Sequence, residues 1–446
     1  MEEGQIQYIE PKDVCTLLSD HRYPSNDEIE RLPLGKSVIE NINNVDARYC
    51  GDGTNGHIHR VMDGINILLG EEPYNIVKQW SGPKGIASDE CRSFLNTLKN
   101  FVKNQDLTDT IISGNNYEYF LRICAFYHDV GKSIITERHP SVGWHLVRDV
   151  HAEEVKDFLY PLVVRRSYSD WKSNPRLTTK EKRLLNIFVS VIKYHDLFGV
   201  LSTGEASYPV MMDLIPLIGA NVDEAIELFY ILFIVNLADT YGSVPELYPY
   251  KVMHFCNDLD LLCRTIREAQ GDRNLFFEKL INISQSTTHT IGRIKRFLVE
   301  GTPLDWQILL NNEQDIIDDA FKNATIAGQY KFCKNFALFC KLDYGLSFKL
   351  MMMKKAKGSS KDIRNPVSKI VEYLVQLERQ YGDLCQRNDN TWRRLGLQLS
   401  GLTRKPPNSR QEDESKIGNA ICDLLLNSDT GKEWASSECT VWFMEE

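Results

Sequence analysis

Phe126-Tyr127-His128-Asp129-Val130-Gly131-Lys132 follows an apolar run and ends in Gly-Lys. An imidazole and a carboxylate on adjacent residues lie about 100° apart on a helix, near enough for both to reach one metal ion. Alone the dipeptide says little, since His-Asp pairs occur by chance. Its meaning depends on what the rest of the chain can bring to it, and both flanks offer apolar helices that carry a His or an Asp.

Upstream, the segment from His57 to Leu69 has an apolar stripe through Val61, Ile65 and Leu68. His57 lies one turn before Val61 on that face. His59 points about 200° away, so periodicity selects His57 as the inward histidine. Around the dipeptide, Phe120, Ile123, Cys124 and Tyr127 form a stripe that His128 continues. Downstream, Leu185, Phe188 and Ile192 lead to His195 in the same way. Asp239 ends the very apolar segment from Phe229 to Ala238, where a carboxylate is costly unless paired or bound to a cation. His139 stands just before Pro140, at the first turn of a helix expected over residues 140–149.

A single His on an apolar face is more often a hydrogen-bonded core residue than a ligand, and a helix-ending Asp usually accepts a local hydrogen bond. The conjunction shifts the reading: four helices each deliver such a group inward. Imidazoles with carboxylates suit Fe, Mn, Zn, Ni or Co better than Ca. Six candidate ligands exceed the needs of one tetrahedral ion, which points to two.

Taken in order, these motifs resemble the HD-domain superfamily of metal-dependent phosphohydrolases. His57-Ile58-His59-Arg60-Val61 looks like its opening HxxRV signature, and His128-Asp129-Val130-Gly131-Lys132 like its HDxGK core. His139-Pro140-Ser141-Val142-Gly143 looks like the HPxxG segment of its dinuclear branch. Tyr194-His195-Asp196 stands where that branch has another His, and Leu237-Ala238-Asp239 is similar to its closing Asp helix. The resemblance covers residues 45–245, under half of the chain.

The resemblance implies an all-α fold, an HD-domain helical bundle followed by a further, mainly helical region. It implies that His57, His128, Asp129 and Asp239 hold one divalent transition metal ion (Fe, Mn, Ni, Co or Zn). Asp129 would bridge to a second ion, completed by His139 and His195. Lys132 would contact a substrate phosphate, or stand as a solvated lysine at a helix end. The implied function is a metal-dependent phosphohydrolase or phosphodiesterase that cleaves a nucleotide or other small phosphoester. Its nucleophile would be a hydroxide between the two ions, with Asp129 and Lys132 as the catalytic residues. Two alternatives stay open: a di-iron oxygenase of the same fold, and a catalytically silent nucleotide-sensing regulator. The tandem His-His and Gly-Tyr-Pro of members that cleave cyclic-di-GMP are absent, because His195-Asp196 leads into Phe198-Gly199-Val200. That argues against this substrate. Asp196 reads as an ordinary polar residue or an orienting group, and His145 and His151 as surface or supporting groups.

Three regions are expected: an N-terminal extension over residues 1–45, the metal-binding domain over 46–248, and a helical accessory domain over 249–446. Within the last, helices are expected over Leu259–Arg267, Phe336–Tyr344 and 366–381, with loops near 354–365 and 404–415. The stretch Cys439–Met444 reads as a short strand or a docking tail. Gly51-Asp52-Gly53-Thr54-Asn55-Gly56 spells a dinucleotide-binding fingerprint, but the polar residues before it cannot form the buried strand that motif needs. A loop at the mouth of the metal site is the better account.

The bulk numbers narrow the function classes. Hydrophobic residues at 42% and charged residues at 25% describe an ordinary globular chain, and a net charge of -9 argues against non-specific nucleic-acid binding. Arg293, Lys295 and Arg296, with residues 354–364, offer a basic patch, yet no nucleic-acid signature accompanies them and a solvated face is the plainer reading. The accessory domain then serves oligomerisation or substrate gating. Eleven scattered cysteines without any CxxC read as reduced core thiols. Met1-Glu2-Glu3-Gly4 lacks the features of a secretory signal, and the apolar stretch from Ile226 to Ala238 is too short to span a bilayer. A cytoplasmic protein without membrane contact, acting on a small molecule, is expected.

Overall fold

Residues 222–243 organise the first half of the molecule, because a helix apolar around its whole circumference must be enclosed by others. The computed structural model describes residues 25–32, 35–41, 56–77, 86–103, 116–133, 139–150, 179–214, 222–243, 247–299, 310, 314–343, 360–381, 394–398 and 440–444. The fold is all-α, with three short strands near the C-terminus. The chain forms two compact units, residues 1–199 with 214–272, and residues 200–213 with 273–446.

The first unit runs through α1 (Asn26–Glu30), α2 (Gly35–Asn41), α3 (His57–Leu69), α4 (Ile86–Lys103), α5 (Asn116–Tyr127), α6 (His139–His145) and α7 (Thr179–Tyr194). After α8 (Leu197–Ser202), in which the chain leaves this unit, come α9 (Val222–Ser243) and α10 (Pro249–Glu268). Helix α9 packs against α3, α5, α7 and α10, which accounts for its all-round apolarity. Its contact with α3 is close because small residues meet there. A Cβ on Gly64 would come within 3.2 Å of Ala238, and one on Gly242 would strike Val61. Arg60 fastens the crossing, its Nε donating to the Gly242 carbonyl at 2.7 Å.

Helix α9 is longer than the apolar run suggested. Glu227 and Asn236 do not interrupt it; both are buried, and Asn236 Oδ1 accepts the Gly199 N–H. At 22 residues it is long and apolar enough to cross a membrane, but 78% of that stretch is buried in this fold. Asp239 consequently sits one turn inside the helix, not at its end. The boundary expected after residue 248 also falls inside the first unit, because α10 packs on α9 and α4. Cys91, Cys124, Cys256 and Cys263 are free, buried thiols of this unit.

The second unit contains α11 (Arg273–Ser284), α12 (Thr287–Val299), α13 (Gln314–Thr325), α14 (Gln329–Phe336) and α15 (Ser360–Tyr381). Strands β1 (Phe339–Asp343), β2 (Arg394–Gln398) and β3 (Thr440–Met444) form one sheet in that order. Strands β1 and β2 are parallel, β2 and β3 antiparallel, with Leu395 opposite Phe443. The helix expected over Phe336–Tyr344 is therefore corrected to the end of α14 followed by β1; a short apolar run does not distinguish helix from strand. The loop expected near 354–365 is corrected as well, since α15 starts at Ser360. Its polar first turns suit an exposed helix as well as a loop. The loop expected at 404–415, and His151, lie outside the described residues. On α15, Val367, Ile370, Val371 and Leu374 are buried as the apolar stripe implies.

Arg293 is not part of a surface patch. It is 3% exposed and donates to the carbonyls of Gly204, Glu205 and Phe336 at 2.9, 2.6 and 2.6 Å. One buried guanidinium thereby serves three backbone acceptors, a use that its fork of donors allows.

Candidate metal centre

Two helices of the first unit end in the same way. Helix α5 stops at Tyr127, and His128 directs Nδ1 to the Ala125 carbonyl at 2.6 Å. Helix α7 stops at Tyr194, and His195 directs Nδ1 to the Ile192 carbonyl at 2.8 Å. Each imidazole donates Nδ1–H to a carbonyl of the last turn, which has no partner within its helix. The Nε2 lone pair is thereby left to face inward, the orientation that ligating histidines need. The His128-Asp129 pair thus lies in a turn after α5, not on the helix itself. The chain then tightens into a 3-10 turn, Val130–Ser133, with Lys132 N–H bonded to the Asp129 carbonyl at 2.8 Å.

All six residues singled out as ligands meet in this unit. His57 Nε2 lies 2.9 Å from Asp239 Oδ1, 3.2 Å from Asp129 Oδ2 and 3.3 Å from His128 Nε2. His128 Nε2 is 3.2 Å from Asp129 Oδ2 and 3.3 Å from Asp239 Oδ1. The other oxygen, Asp129 Oδ1, faces a second set: His139 Nε2 at 3.1 Å and His195 Nε2 at 3.6 Å, themselves 3.2 Å apart. A cation with ligands at about 2.1 Å places neighbouring ligand atoms about 3.0–3.4 Å apart. Most separations in both sets fit that spacing, with His195–Asp129 at 3.6 Å the widest and His57–Asp239 at 2.9 Å the tightest. Three groupings bring ligand atoms close enough to surround a divalent ion, His57 with His128 and Asp129, His128 with His195 and Asp239, and Asp129 with His139 and His195; Asp129 belongs to two of them.

Position along each element explains the convergence. His57 opens α3, His139 opens α6, Asp239 lies near the end of α9, and His128 and His195 cap α5 and α7. Helix α6 is brought to Asp129 by an approach that only glycine permits. A Cβ on Gly131 would strike the His139 carbonyl and lie 2.5 Å from Gly143 N. Lys132 Nζ reaches Asp129 Oδ2 and is 19% exposed, so it is neither deeply buried nor fully solvated.

His57 is 7% exposed and within the cluster, whereas His59 is half-buried and outside it. Asp196 sits half-buried beside His195 and is not among the gathered groups. His145 is exposed and pairs with Asp149 at 2.7 Å. Of the glycine-rich segment before α3, only Gly56 is described, as the residue preceding the first helical turn. Sequence reasoning placed Arg60 and Gly131 in the quoted motifs without giving either a packing role, and did not single out Gly242.

The cluster is electrostatically matched. Burial alone would lower the pKa of His57, but Asp129 and Asp239 override it and raise the value to about 10. His128 is likewise raised against burial, to about 9, by the same two carboxylates. Burial opposes ionisation of Asp129, yet His128, Lys132 and His139 hold it well below the usual carboxylate range. Asp239 is held low against burial by His128 and His57. Burial, with His128 and His139 nearby, pushes His195 down to about 4 and keeps it neutral.

With both values raised above neutrality, the metal-free pair holds protons at pH 7, on Nε2 atoms 3.3 Å apart. A cation bound there must expel them. Titration of metal-free protein with Mn or Zn at pH 7, in two buffers of different ionisation enthalpy, is expected to show release of one or more protons from this pair. Equal heats in the two buffers would contradict this. The sign for stability is opposite. With raised histidine values, the contribution of these pairs to the metal-free fold is complete below about pH 6.5 and is lost as pH rises through about 9 to 10.

Comparisons of the chain with family models, with curated proteins and with solved structures found no match.

Proposed function

We propose that this chain is a dinuclear metal-dependent phosphohydrolase acting on a small phosphoester, nucleotides included. The observation that carries the reading is the division of Asp129: Oδ2 faces His57 and His128, and Oδ1 faces His139 and His195. A carboxylate shared in this way, with Asp239 completing the first set, supports two cations rather than one. Divalent ions held there would supply a hydroxide nucleophile near neutral pH and positive charge for the phosphoryl oxygens.

The chain's own groups do the rest. The Ala125 and Ile192 carbonyls fix the tautomer and direction of His128 and His195. Lys132 keeps an ammonium beside Asp129, and its partial exposure leaves it able to meet a substrate phosphate. The order of the motifs, which resembles that of the HD-domain superfamily, supports the same reading.

Protein loaded with Mn or Fe is expected to turn over at least one member of a panel of nucleoside phosphates, cyclic nucleotides and aryl phosphates, while Asp129→Ala is inactive. Turnover of no member by protein that carries two metals per chain would overturn the proposal, as would equal rates for Asp129→Ala and the wild type. Iron-specific oxygen consumption without phosphate release would favour an oxygenase instead.

A further inference from the structure

The second unit holds a cavity of about 210 Å³ against α12. Leu201, Ala206 and the ring of Tyr208 form its apolar wall. Thr288, His289, Arg293 and Arg296 supply the polar side, and no carboxylate is among the described lining residues.

These groups are braced. His289 Nε2 is 2.9 Å from Ser207 Oγ, and its ring lies 4.9 Å from that of Tyr208. Arg296 Nη1 donates to the Leu201 carbonyl at 3.2 Å. Arg293 donates to three carbonyls, one from each of its nitrogens, and these neutral acceptors do not cancel its charge. Burial, then Arg296 and Arg293, push the His289 imidazole down to about 3, so it acts as a neutral hydrogen-bonding group beside two guanidinium charges.

A second feature is Gly292, which lines the cavity from the interior of α12. Glycine destabilises a helix interior relative to alanine. Among the described residues nothing lies within 4 Å of the Cβ it lacks, so no protein neighbour requires a glycine there. What its absent side chain preserves is the open space.

We propose that this cavity binds a small organic anion with a flat apolar body, of the aryl carboxylate or aryl phosphate type. Guanidinium groups recognise both anions, and the aromatic and aliphatic wall suits one ring. The volume lies below the roughly 300–1,000 Å³ of sites for drug-sized molecules, so a single ring with one anionic group is the size that fits.

The test is calorimetric titration of the full-length Asp129→Ala protein, which leaves this cavity intact and removes turnover of a phosphoester probe. Benzoate and phenyl phosphate are the two probes, and benzyl alcohol is the neutral control. At least one anion is expected to bind once per chain, and the stronger of the two identifies the anionic group. Arg296→Gln, added to that background, is expected to weaken binding about tenfold or more. Gly292→Leu is expected to abolish it by filling the cavity while keeping thermal stability at or above that of the parent, since leucine suits a helix better. Failure of both anions to bind would overturn the proposal. So would unchanged binding in Gly292→Leu, or equal binding of benzyl alcohol.

Discussion

Asp129→Asn is expected to empty both metal positions at once. The substitution keeps the shape of the side chain but removes the charge that both donor sets share. On one side His57, His128 and Asp239 remain; on the other, only two imidazoles, His139 and His195. Elemental analysis of purified protein should fall from two metals per chain to near zero. His139→Ala should retain one, because Asp129 Oδ2 and its neighbours are untouched. On the proposed function, the phosphoesterase activity of Asp129→Asn should drop by about a thousandfold or more, several kcal/mol of lost transition-state stabilisation. The fold should survive, since the residue lies in a turn and its near-isostere leaves no cavity. Asp129→Asn protein that still carries two metals would show that the carboxylate does not bridge. Loss of one metal only would assign Asp129 to a single position.

Local periodicity made His57, His128 and His195 legible in the sequence, while the apolar run before Asp239, the proline after His139 and the order of the motifs singled out those two. A stripe of period 3.6 through Val61, Ile65 and Leu68 separates His57 from His59, and the structure places the two apart, one in the cluster and one outside it. The stripes of α5 and α7 likewise lead to His128 and His195. What periodicity could not reveal is that both histidines lie just beyond their helices. Their direction comes from Nδ1 bonds to the last-turn carbonyls, not from position on a helical wheel. The motif that contains Arg60 does not disclose its partner, the Gly242 carbonyl that α9 brings to it. The start of α15 and strand β1 were misread for a different reason. Short polar or apolar segments carry no period long enough to choose a conformation, and neighbours decide.

Gly131→Ala is expected to remove one metal without touching any ligand side chain. The added methyl would meet the His139 carbonyl and, at 2.5 Å, the amide nitrogen of Gly143. Both are backbone atoms of α6, so no side chain can rotate away and the helix must retreat. A displacement of about 0.5 Å is enough to spoil a metal position. His139 moves with α6, while His57, His128 and Asp239 stand on other elements. Metal content should therefore fall from two to one per chain, matching His139→Ala. On the proposed function, activity should fall, by up to about a hundredfold if the displacement approaches 1 Å. Overpacking should also lower stability by about 1–3 kcal/mol, read as a lower midpoint of thermal unfolding. Gly143→Ala provides the contrast. Its nearest atom would be the Ile192 Cγ2 methyl at 3.1 Å, with backbone no closer than 3.3 Å, so small side-chain shifts can absorb it. That variant should keep both metals. If Gly131→Ala also keeps both, with full activity, the close approach of α6 to the turn after Asp129 is not what holds His139 in the centre. If it loses one, a glycine that binds nothing sets the metal count of the site.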